Sequence, residues 1–268
     1  MCLTCERTFS SSRLTACFGQ KKRRLNDPIR KLYCSGVSKR RIAKLLRINR
    51  KTVPRKLIFL GEQATQYLKQ AITDLHAKGT KLNAIQFDEM ESFEHSKCLP
   101  LSIPLVVQPE SRKILGFRVC LMPAKGPLAG ISVKKYGRRA DHRAVAASSL
   151  FEELKPIIHP RATIIHDHQR SSAIISDQNP KYPNWLKPHF PNATHKTHKG
   201  QRGCVVGQGE LKKIGHDPLF DLNHTCAMIR ANINRLFRRT WCTTKRADRL
   251  ALHLAIYVQY HNEVLTSH

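Results

Sequence analysis

Hydrophobic positions follow a helical period up to residue 79 and a strand-like period from residue 83 onward. In the first part, apolar residues recur at steps of three and four positions, which is typical of amphipathic helices. In the second part, apolar runs at 83–91, 99–107 and 113–121 are separated by polar and turn residues. Three such runs in succession predict an antiparallel meander. We therefore expect a helical amino-terminal part followed by a domain built on a sheet.

Two further strand-like runs follow a predicted helix at residues 141–154. They cover 162–167 and 173–177, and each ends in an aspartate. A meander, a helix, a strand that ends in Asp and then further helices is the order expected of a ribonuclease H-like α/β domain. The predicted fold class is thus α/β, with a mixed sheet and flanking helices over residues 81–268.

Three short helices are predicted ahead of the sheet. Asp27 and Pro28 mark the start of the first helix, Ser38 caps the second, and the third covers residues 50–60. The pattern resembles the helix-turn-helix units of transposases and recombinases, whose third helix lies in the major groove of DNA. It therefore predicts a small all-α DNA-binding unit.

This helix-turn-helix domain is assigned to residues 20–62, and a linker helix to residues 63–80. The candidate DNA contacts are Arg40, Arg41, Asn49, Arg50, Lys51 and Arg55. A basic helical hairpin that contacts phosphates without reading base sequence is the alternative interpretation. Pro54 removes a backbone donor from the third helix, so we expect that helix to be shortened or kinked.

The chain is strongly basic, since 47 Lys and Arg against 19 Asp and Glu give a formal net charge of +28. Residues 1–62 hold 17 basic and 3 acidic side chains, so this quarter of the chain contributes 17 − 3 = +14. The excess is far larger than solubility requires and implies a polyanionic partner. We predict that the partner is double-stranded DNA and that there is no small-molecule substrate.

Nine cysteines, an odd number, and the lack of a recognisable signal sequence argue against a disulfide framework. No apolar run approaches the roughly 20 residues needed to span a bilayer. We therefore expect a soluble protein of a reducing compartment without membrane contact.

Cys2 and Cys5 have the spacing of one half of a zinc ribbon. A structural zinc ion needs four ligands, and Cys17 and Cys34 follow at spacings that match no zinc pattern. Residues 1–19 are therefore interpreted as an incomplete, metal-free zinc-ribbon remnant, with zinc binding as the alternative.

The stretch 83–94 joins a buried strand to four carboxylates, Asp88, Glu89, Glu91 and Glu94. Because side chains alternate along a strand, Asp88 points to one face whereas Glu89 and Glu91 point to the other. Only one of these faces can contribute to a single site. The residues alone leave two interpretations open. In the first, the strand emerges from the core and its carboxylates are simply exposed to solvent. In the second, an aspartate at the end of the strand binds a metal ion.

Further motifs follow in a fixed order along the chain. Asp-Glu-Met-Glu-Ser-Phe lies at 88–93, Ser-Asp-Gln-Asn-Pro-Lys-Tyr at 176–182, and a third block at 203–224. The ending at 230–245, with Tyr-His-Asn at 260–262, completes the series. Together these segments resemble the compact bacterial insertion-sequence transposases of the DDE class, and the resemblance covers nearly the whole chain. It implies a nucleoid-associated protein of the bacterial cytoplasm that acts as a homo-oligomer on DNA.

The resemblance also implies that the chain binds the terminal inverted repeats of a mobile element and catalyses strand cleavage and strand transfer with Mg²⁺ or Mn²⁺. Two divalent ions stabilise the attacking and leaving oxygens of such a displacement, and Mg²⁺ prefers oxygen ligands. Asp88 and Asp177 are the first two implied catalytic and metal-binding residues. Asp167 is the alternative to Asp177, but only Asp177 is followed by the Pro180 and Tyr182 of the family pattern.

At the third catalytic position the chain departs from the DDE pattern, because alignment on Arg230 places Asn223 there instead of a glutamate. On a helix, Asn223, Arg230 and Asn234 fall within about 20° of one line. The implied roles are metal binding for Asn223 and DNA binding for Arg230. Glu210 and Asp221 are the alternative ligands, and a helix N-cap is the structural interpretation of Asn223.

The sequence thus favours an active transposase of the subgroup with Asn in the third position. The competing hypothesis is a decayed copy that only binds DNA, which the incomplete set of cysteine pairs, Pro54 and the tandem strand-like runs before Asp177 favour. A nuclease on the same scaffold would fit the ligands but would leave the amino-terminal DNA-binding unit without an explanation.

Overall fold

The computed structural model describes residues 3–8, 10–160, 174–198, 218–237 and 243–266, which form a six-stranded mixed sheet with helices on both faces. The α-helices are α1 (Asn26–Tyr33), α2 (Lys39–Leu45), α3 (Thr52–Ala77), α4 (Leu128–Tyr136), α5 (Arg143–Leu154), α6 (Tyr182–Leu186), α7 (Phe220–Asn232) and α8 (Ala247–Tyr260). The β-strands are β1 (Ile85–Phe93), β2 (Pro100–Val107), β3 (Ile114–Phe117), β4 (Cys120–Leu121), β5 (Ile174–Asp177) and β6 (His195–His198). Short 3₁₀ segments lie at Ser11–Leu14, Arg23–Leu25, Lys155–Ile157 and Asn234–Leu236, and a π-helical turn follows α8 at His261–Leu265.

The strands are ordered β3–β2–β1–β5–β6, and β4 pairs with the start of β2. β1, β2 and β3 are antiparallel neighbours, whereas β5 and β6 join the sheet in parallel to β1. The predictions of an α/β fold with a mixed sheet and of the meander are confirmed. β5 corresponds to the predicted run at 173–177, and the run at 162–167 lies outside the described residues. The sequence does not predict β6, because His-Lys-Thr-His has no apolar alternation.

The alternation of side chains along β1 divides the core between the two faces of the sheet. Phe87 packs on α5 and α6, and its ring centroid lies 4.9 Å from that of Phe151 and 4.8 Å from that of Tyr182. Met90, on the opposite face, belongs to a larger core that includes residues of α7 and α8. Helices therefore cover both faces of the strand that carries the predicted carboxylates.

The amino-terminal helices share this larger core. Ile29, Ile42 and Val53 are fully buried in the same cluster as Met90. As predicted, Ser38 caps α2, and its Oγ accepts a hydrogen bond from the Arg41 N–H at 3.4 Å. The predicted helical unit and the sheet domain are therefore held together by one continuous packed interior.

α3 is one uninterrupted helix of 26 residues, so the predicted third helix and the predicted linker helix are continuous. The expectation that Pro54 shortens this helix is wrong. Pro54 is the third residue of α3, where a backbone N–H has no acceptor within the helix. A proline in the first turn therefore removes no helical hydrogen bond.

α3 and α8 come into close contact at Gly61. A Cβ placed on Gly61 would lie 2.6 Å from the Cβ of Leu252 and 2.9 Å from its carbonyl oxygen. Since one of these atoms belongs to the backbone of α8, a side-chain rotation cannot make room for it. The absence of a side chain at Gly61 thus allows α3, and with it the amino-terminal helices, to pack against α8.

We expect Gly61→Ala to lower the free energy of unfolding by about 1–3 kcal/mol, because the methyl group overpacks the contact between α3 and α8. Helix propensity acts in the other direction, since it favours alanine by about 1 kcal/mol. Urea unfolding followed by circular dichroism measures the difference. Gly130→Ala in α4 is the matched control, because a Cβ there meets no atom within 4 Å. It should be neutral or stabilising, and a similar loss in both variants would contradict the close contact.

Candidate functional site

The parallel pairing of β1 with β5 brings Asp88 and Asp177 side by side. Phe87 is in register with Ser176, so the next residue of each strand is an aspartate. Residues in register on parallel strands point to the same face, and the strands are about 4.8 Å apart. The two carboxylates therefore lie on the same face of the sheet, at the point where β5 ends.

The prediction that Asp88 ends its own strand is wrong. β1 continues to Phe93, because β2 pairs with it from Gln86 to Phe93. β5 is shorter and ends at Asp177. β1 therefore extends past the end of β5, and its edge beyond Asp88 is not paired with β5. The candidate site lies at this step, where β5 ends and β1 continues.

Asp88 is held by two donors at the step. Its Oδ1 accepts hydrogen bonds from the Tyr182 hydroxyl at 2.9 Å and from the Glu89 backbone N–H at 2.7 Å. Among the described residues, no donor reaches Oδ2. Burial, and next the charge of Asp177, raise the pKa of Asp88 to about 6, although the bond from Tyr182 opposes this shift. Ionisation of the Asp88 carboxyl is therefore costly in the protein without a bound cation.

The segment after Asp177 explains how Tyr182 reaches Asp88. The Asp177 Oδ1 accepts a hydrogen bond from the Asn179 backbone N–H at 3.0 Å, which closes a tight turn directly after β5. The chain then enters α6, whose first residue is Tyr182. Tyr182 is 1% exposed, and its hydroxyl also accepts a bond from the Glu89 N–H at 3.1 Å. The motif at 176–182 therefore links the two strands that carry the carboxylates.

The acids on the other face of β1 have partners within the chain. Ser102 donates a hydrogen bond of 2.6 Å to the Glu89 Oε1, and the Arg143 guanidinium lies 4.0 Å from Oε2. Burial raises the pKa of Glu89, while Ser102 and Arg143 lower it.

Glu91, further along β1, and Glu94, directly after the strand, also have partners. Glu91 pairs with Lys125 at 2.5 Å and Glu94 with Arg139 at 3.3 Å. Glu94 also accepts a bond from the Ala247 backbone N–H at 3.2 Å. These ion pairs and the hydrogen bond connect the acids to the surrounding loops and to the start of α8, so neither acid is available to the candidate site at Asp88.

Gln86 joins α7 to the same face of β1. Its Nε2 donates to the Pro218 carbonyl at 2.8 Å, and its Oε1 accepts from the Leu222 N–H at 2.8 Å. Gln86 is 2% exposed and lies two residues before Asp88, so both side chains point to the same face. The first turn of α7 is therefore fixed about two strand positions from Asp88.

Asn223 lies in this first turn, on a flank of α7 different from that of Asp221. The Asp221 Oδ2 accepts a bond from the Glu110 N–H at 2.9 Å, so Asp221 faces the turn between β2 and β3. Asn223 is rotated by about 200° from Asp221 around the helix axis. Arg230, half-buried and two turns further on, shares the flank of Asn223. The interpretation of Asn223 as the N-cap is wrong, since Leu219 occupies that position.

The helix predicted to carry Asn234 ends earlier. α7 ends at Asn232, and Asn234 belongs to a 3₁₀ segment beyond an extended Ile233. Its alignment with Asn223 and Arg230 on one helix is therefore wrong. Cys226 and Ile229 of α7 pack into the core that also contains Met90 of β1.

Several candidate ligands lie outside the described residues, namely Cys2, Asp167 and Glu210. Cys5 is exposed, while Cys34 is buried and donates to the Ile256 carbonyl at 3.8 Å. Within the described ranges, no group of three or more His, Cys, Asp and Glu side chains is placed to hold a metal ion. A third ligand for Asp88 and Asp177 would thus be an amide such as Asn223, or a residue from the remainder of the chain.

β6 adds two histidines to this end of the sheet. His198 is in register with Asp177, and His195 lies three residues earlier in the same strand. The His195 Nε2 is 2.7 Å from the Ser176 Oγ, and burial lowers the pKa of His195. The spacing His-x-x-His is the sequence signal for this pair, but it does not show that the residues form a strand beside β5.

The candidate DNA contacts of the amino-terminal helices are all exposed. They are Arg40, Arg41, Asn49, Arg50, Lys51 and Arg55. Asn49 closes a turn before α3 by accepting a bond from the Lys51 N–H at 2.8 Å. The start of α3 therefore presents several cations to solvent.

A scan against protein-family models and a search of curated proteins give no match for this chain. The functional assignment therefore depends on the residues and the geometry of the chain itself. In the part of the chain that the structure describes, no helix combines the length and the apolar character needed to cross a bilayer.

The raised pKa of Asp88 predicts how stability depends on pH. The folded-state value of about 6 exceeds the ordinary value of 3.8, so the folded protein binds this proton more tightly than the unfolded chain. The contribution of Asp88 to stability is fully present below pH 3.8 and is lost as the pH rises through 6. In buffer with a chelator, Asp88→Asn should therefore be more stable than the wild type at pH 7.5, by about 2–3 kcal/mol.

Thermal unfolding at pH 7.5 and pH 4.5 tests this expectation, because the advantage of Asp88→Asn should shrink at the lower pH. Asp74→Asn, at a carboxylate on the exposed side of α3, is the matched control and should change little. An Asp88→Asn variant less stable than the wild type at pH 7.5 would show that the charge is not costly.

Tyr182→Phe tests the link between α6 and Asp88. Loss of the hydroxyl removes a donor that lowers the pKa of Asp88, so that pKa should rise further, and stability should fall by about 1–2 kcal/mol. Carboxyl titration by NMR and urea unfolding measure the two effects. Tyr136→Phe, at an exposed ring in α4, should alter neither quantity. An unchanged Asp88 titration in Tyr182→Phe would contradict the assigned hydrogen bond.

Proposed function

We propose that this chain is a DNA transposase of the DDE class, with Asp88, Asp177 and Asn223 as its catalytic residues. The observation that carries the proposal is the pairing of β1 with β5, which places two carboxylates on one face beside the first turn of α7. The strand order β3–β2–β1–β5–β6, with a meander followed by two parallel strands, supports a ribonuclease H-like domain. The resemblance of the motifs at 88–93 and 176–182 supports the same assignment.

The residues fit a divalent metal site. Asp88 and Asp177 supply oxygen ligands, which Mg²⁺ and Mn²⁺ prefer, and the Asp88 Oδ2 accepts no hydrogen bond from the described residues. Burial, and next the charge of Asp177, raise the pKa of Asp88, and a bound cation would offset the cost of ionising it. When bound there, two such ions would stabilise the attacking and leaving oxygens of a phosphodiester displacement.

The chain contributes positioning and charge. Tyr182 and the Glu89 N–H fix the orientation of Asp88, while the Asn179 N–H fixes Asp177. Gln86 holds the turn of α7 that carries Asn223. Arg230, on the flank of Asn223, would contact a DNA phosphate near the reacting strand. The first nucleophile would be water, and the second the 3′ hydroxyl that the first cleavage releases.

The amino-terminal helices support the DNA-binding part of the proposal. α1, α2 and α3 form a small packed unit with exposed cations at the start of α3, the arrangement expected of a helix-turn-helix. Residues 1–62 carry half of the net positive charge. We assign this unit to the terminal inverted repeats of the mobile element, with Arg50 and Lys51 placed to approach the groove.

A second candidate function is DNA binding without cleavage. It is favoured by the third position, where an uncharged amide stands in place of a carboxylate, and by the lack of a three-residue His, Cys, Asp and Glu group in the described residues. A decayed transposase copy would keep the basic helical unit and lose its metal affinity.

Cleavage of a duplex that carries the inverted repeat flanking the gene separates these two functions. In Mg²⁺, the wild type should cleave and join this duplex, and Asp88→Ala should lose at least about a thousandfold in rate, because several kcal/mol of transition-state stabilisation are removed. Glu91→Ala, at an exposed carboxylate on the other face of β1, is the matched control and should keep the activity. Binding without cleavage by the wild type would assign the chain to the second function, and no duplex binding would exclude both.

A further inference from the structure

The connection between β4 and α5 is strongly basic. Residues 122–140 contain five basic side chains and no acidic one. α4 and the turn that follows it carry four of the five, and we call residues 128–139 the basic arm. Ser132 is the buried residue of α4, so most of the surface of this helix is open to solvent. Packing in the core therefore does not explain the composition of the arm.

The arm is attached to the sheet on both sides of its exposed surface. The Ser132 Oγ donates a hydrogen bond of 2.6 Å to the carbonyl of Cys98, in the turn between β1 and β2. At the end of the arm, the Arg139 guanidinium lies 3.3 Å from the carboxylate of Glu94, and both side chains are largely buried. These contacts hold α4 against the end of β1, so the remaining cations of the arm form a defined surface.

The attachments place the arm beyond the candidate active site along β1. Lys125, which precedes the arm, pairs with Glu91, and Arg139 pairs with Glu94. These two acids follow Asp88 by three and six residues, which is about 10 and 20 Å at the rise of a strand. Successive phosphates of one DNA strand lie about 3.4 Å apart. A DNA strand that lay in the site and continued along β1 would therefore reach the arm about three to six nucleotides from the reacting phosphate.

Three cations of the arm have no acidic partner among the described residues. They are Lys134, Lys135 and Arg138, and all three are exposed. Lys134 and Lys135 lie in the last turn of α4, where a positive charge interacts favourably with the helix dipole. Arg138 lies beyond Gly137, which ends the helix with a φ of 78°, so the dipole does not account for this third cation. Like charges so close together repel each other, and a polyanion would relieve the repulsion.

The ring of Tyr136 lies among these cations. It is 43% exposed, and the Lys135 Nζ lies 5.3 Å from its centroid. Tyrosine hydroxyls, like lysine and arginine side chains, donate to phosphate oxygens in protein–DNA contacts. Ile131 and Val133, each 55% exposed, would also suit an interface between two copies of the chain. Two arms in contact would bring the cations of both copies together, so the charge favours DNA over a second copy.

We propose that the basic arm binds the phosphate backbone of duplex DNA beside the candidate active site. Its unpaired cations and the Tyr136 hydroxyl supply the donors, and the amino-terminal helices provide a separate contact with the DNA. Contacts to phosphates carry no sequence information, so the contribution of the arm to binding is independent of base sequence. The identity of the partner as DNA rests on the proposed function, whereas the exposure and charge of the arm do not.

Binding of the full chain to a short duplex without element sequence, measured over a range of salt concentrations, tests the proposal. The arm variant replaces the three unpaired cations by glutamine: Lys134→Gln, Lys135→Gln and Arg138→Gln. The matched control removes the same charge from three exposed lysines outside the arm: Lys69→Gln, Lys78→Gln and Lys155→Gln. Because all six side chains are exposed, both proteins should fold as the wild type does. Size-exclusion chromatography with light scattering measures the mass of each protein.

The arm variant should bind the duplex about tenfold or more weakly than the wild type at low salt. Its slope of log K against log salt should be smaller by about two to three, because each lost phosphate contact removes about 0.9 from the slope. The control should change the slope by less than one. An arm variant that binds as the control does would overturn the proposal.

A second variant, Ile131→Ser with Val133→Ser, tests the other occupant of this surface. It should keep the mass of the wild type. A lower mass of this variant or of the arm variant, with duplex binding equal to that of the control, would overturn DNA as the occupant in favour of a second copy of the chain.

Cleavage of the inverted-repeat duplex tests the proposed function independently. A wild type that does not cleave in Mg²⁺, together with the smaller slope of the arm variant, would refute the transposase assignment and support the DNA contact of the arm. Cleavage by the wild type, together with an unchanged slope in the arm variant, would refute the contact and support the transposase. The two proposals can therefore fail separately.

Discussion

The candidate site depends on one constraint, the parallel pairing of β1 with β5 up to Phe87 and Ser176. This register forces the next two side chains, both aspartates, onto one face at about the spacing of adjacent strands. Burial of Asp88, and next the negative charge of Asp177 beside it, raise the pKa of Asp88, so the charged form of Asp88 is costly in this arrangement. The fold accepts this cost because hydrophobic packing on both sides of β1 holds the register.

In the part of the chain that the structure describes, the groups that orient the two carboxylates carry no positive charge. Tyr182, a backbone N–H and a tight turn after β5 fix their positions through neutral donors. On the opposite face of the same strand, Glu89 and Glu91 are each matched by a cation of the chain. Among the described residues, the acids on one face of β1 are paired with cations, whereas Asp88 and Asp177 on the other face are not. This difference supports a site for a cationic ligand.

The amino-terminal helices pack directly against α7 and α8, which come from the end of the chain. Glycine at position 61 allows α3 to approach α8 closely, and a bond from Gly36 to Asn232 fixes the start of α2 at the end of α7. The basic helices are therefore rigidly placed with respect to the sheet. In a DNA-processing protein, such a placement would relate the bound sequence to the reacting strand by fixed geometry.

Local signals determined much of this picture. The period of apolar residues predicted the meander, β5 and the helices of the amino-terminal part, because each depends on neighbours close in sequence. The alternation of side chains along β1 placed Asp88 on one face and Glu89 and Glu91 on the other, because this alternation is a local property of a strand. Tertiary contacts decided the rest. The continuation of β1 past Asp88 follows from its pairing with β2, and the strand identity of His195–His198 follows from its pairing with β5. Gln86 anchors α7, and Arg235 is a buried cation, through contacts with residues far away in the chain. The periodicity of a sequence does not show which distant backbone group or charge a side chain will contact.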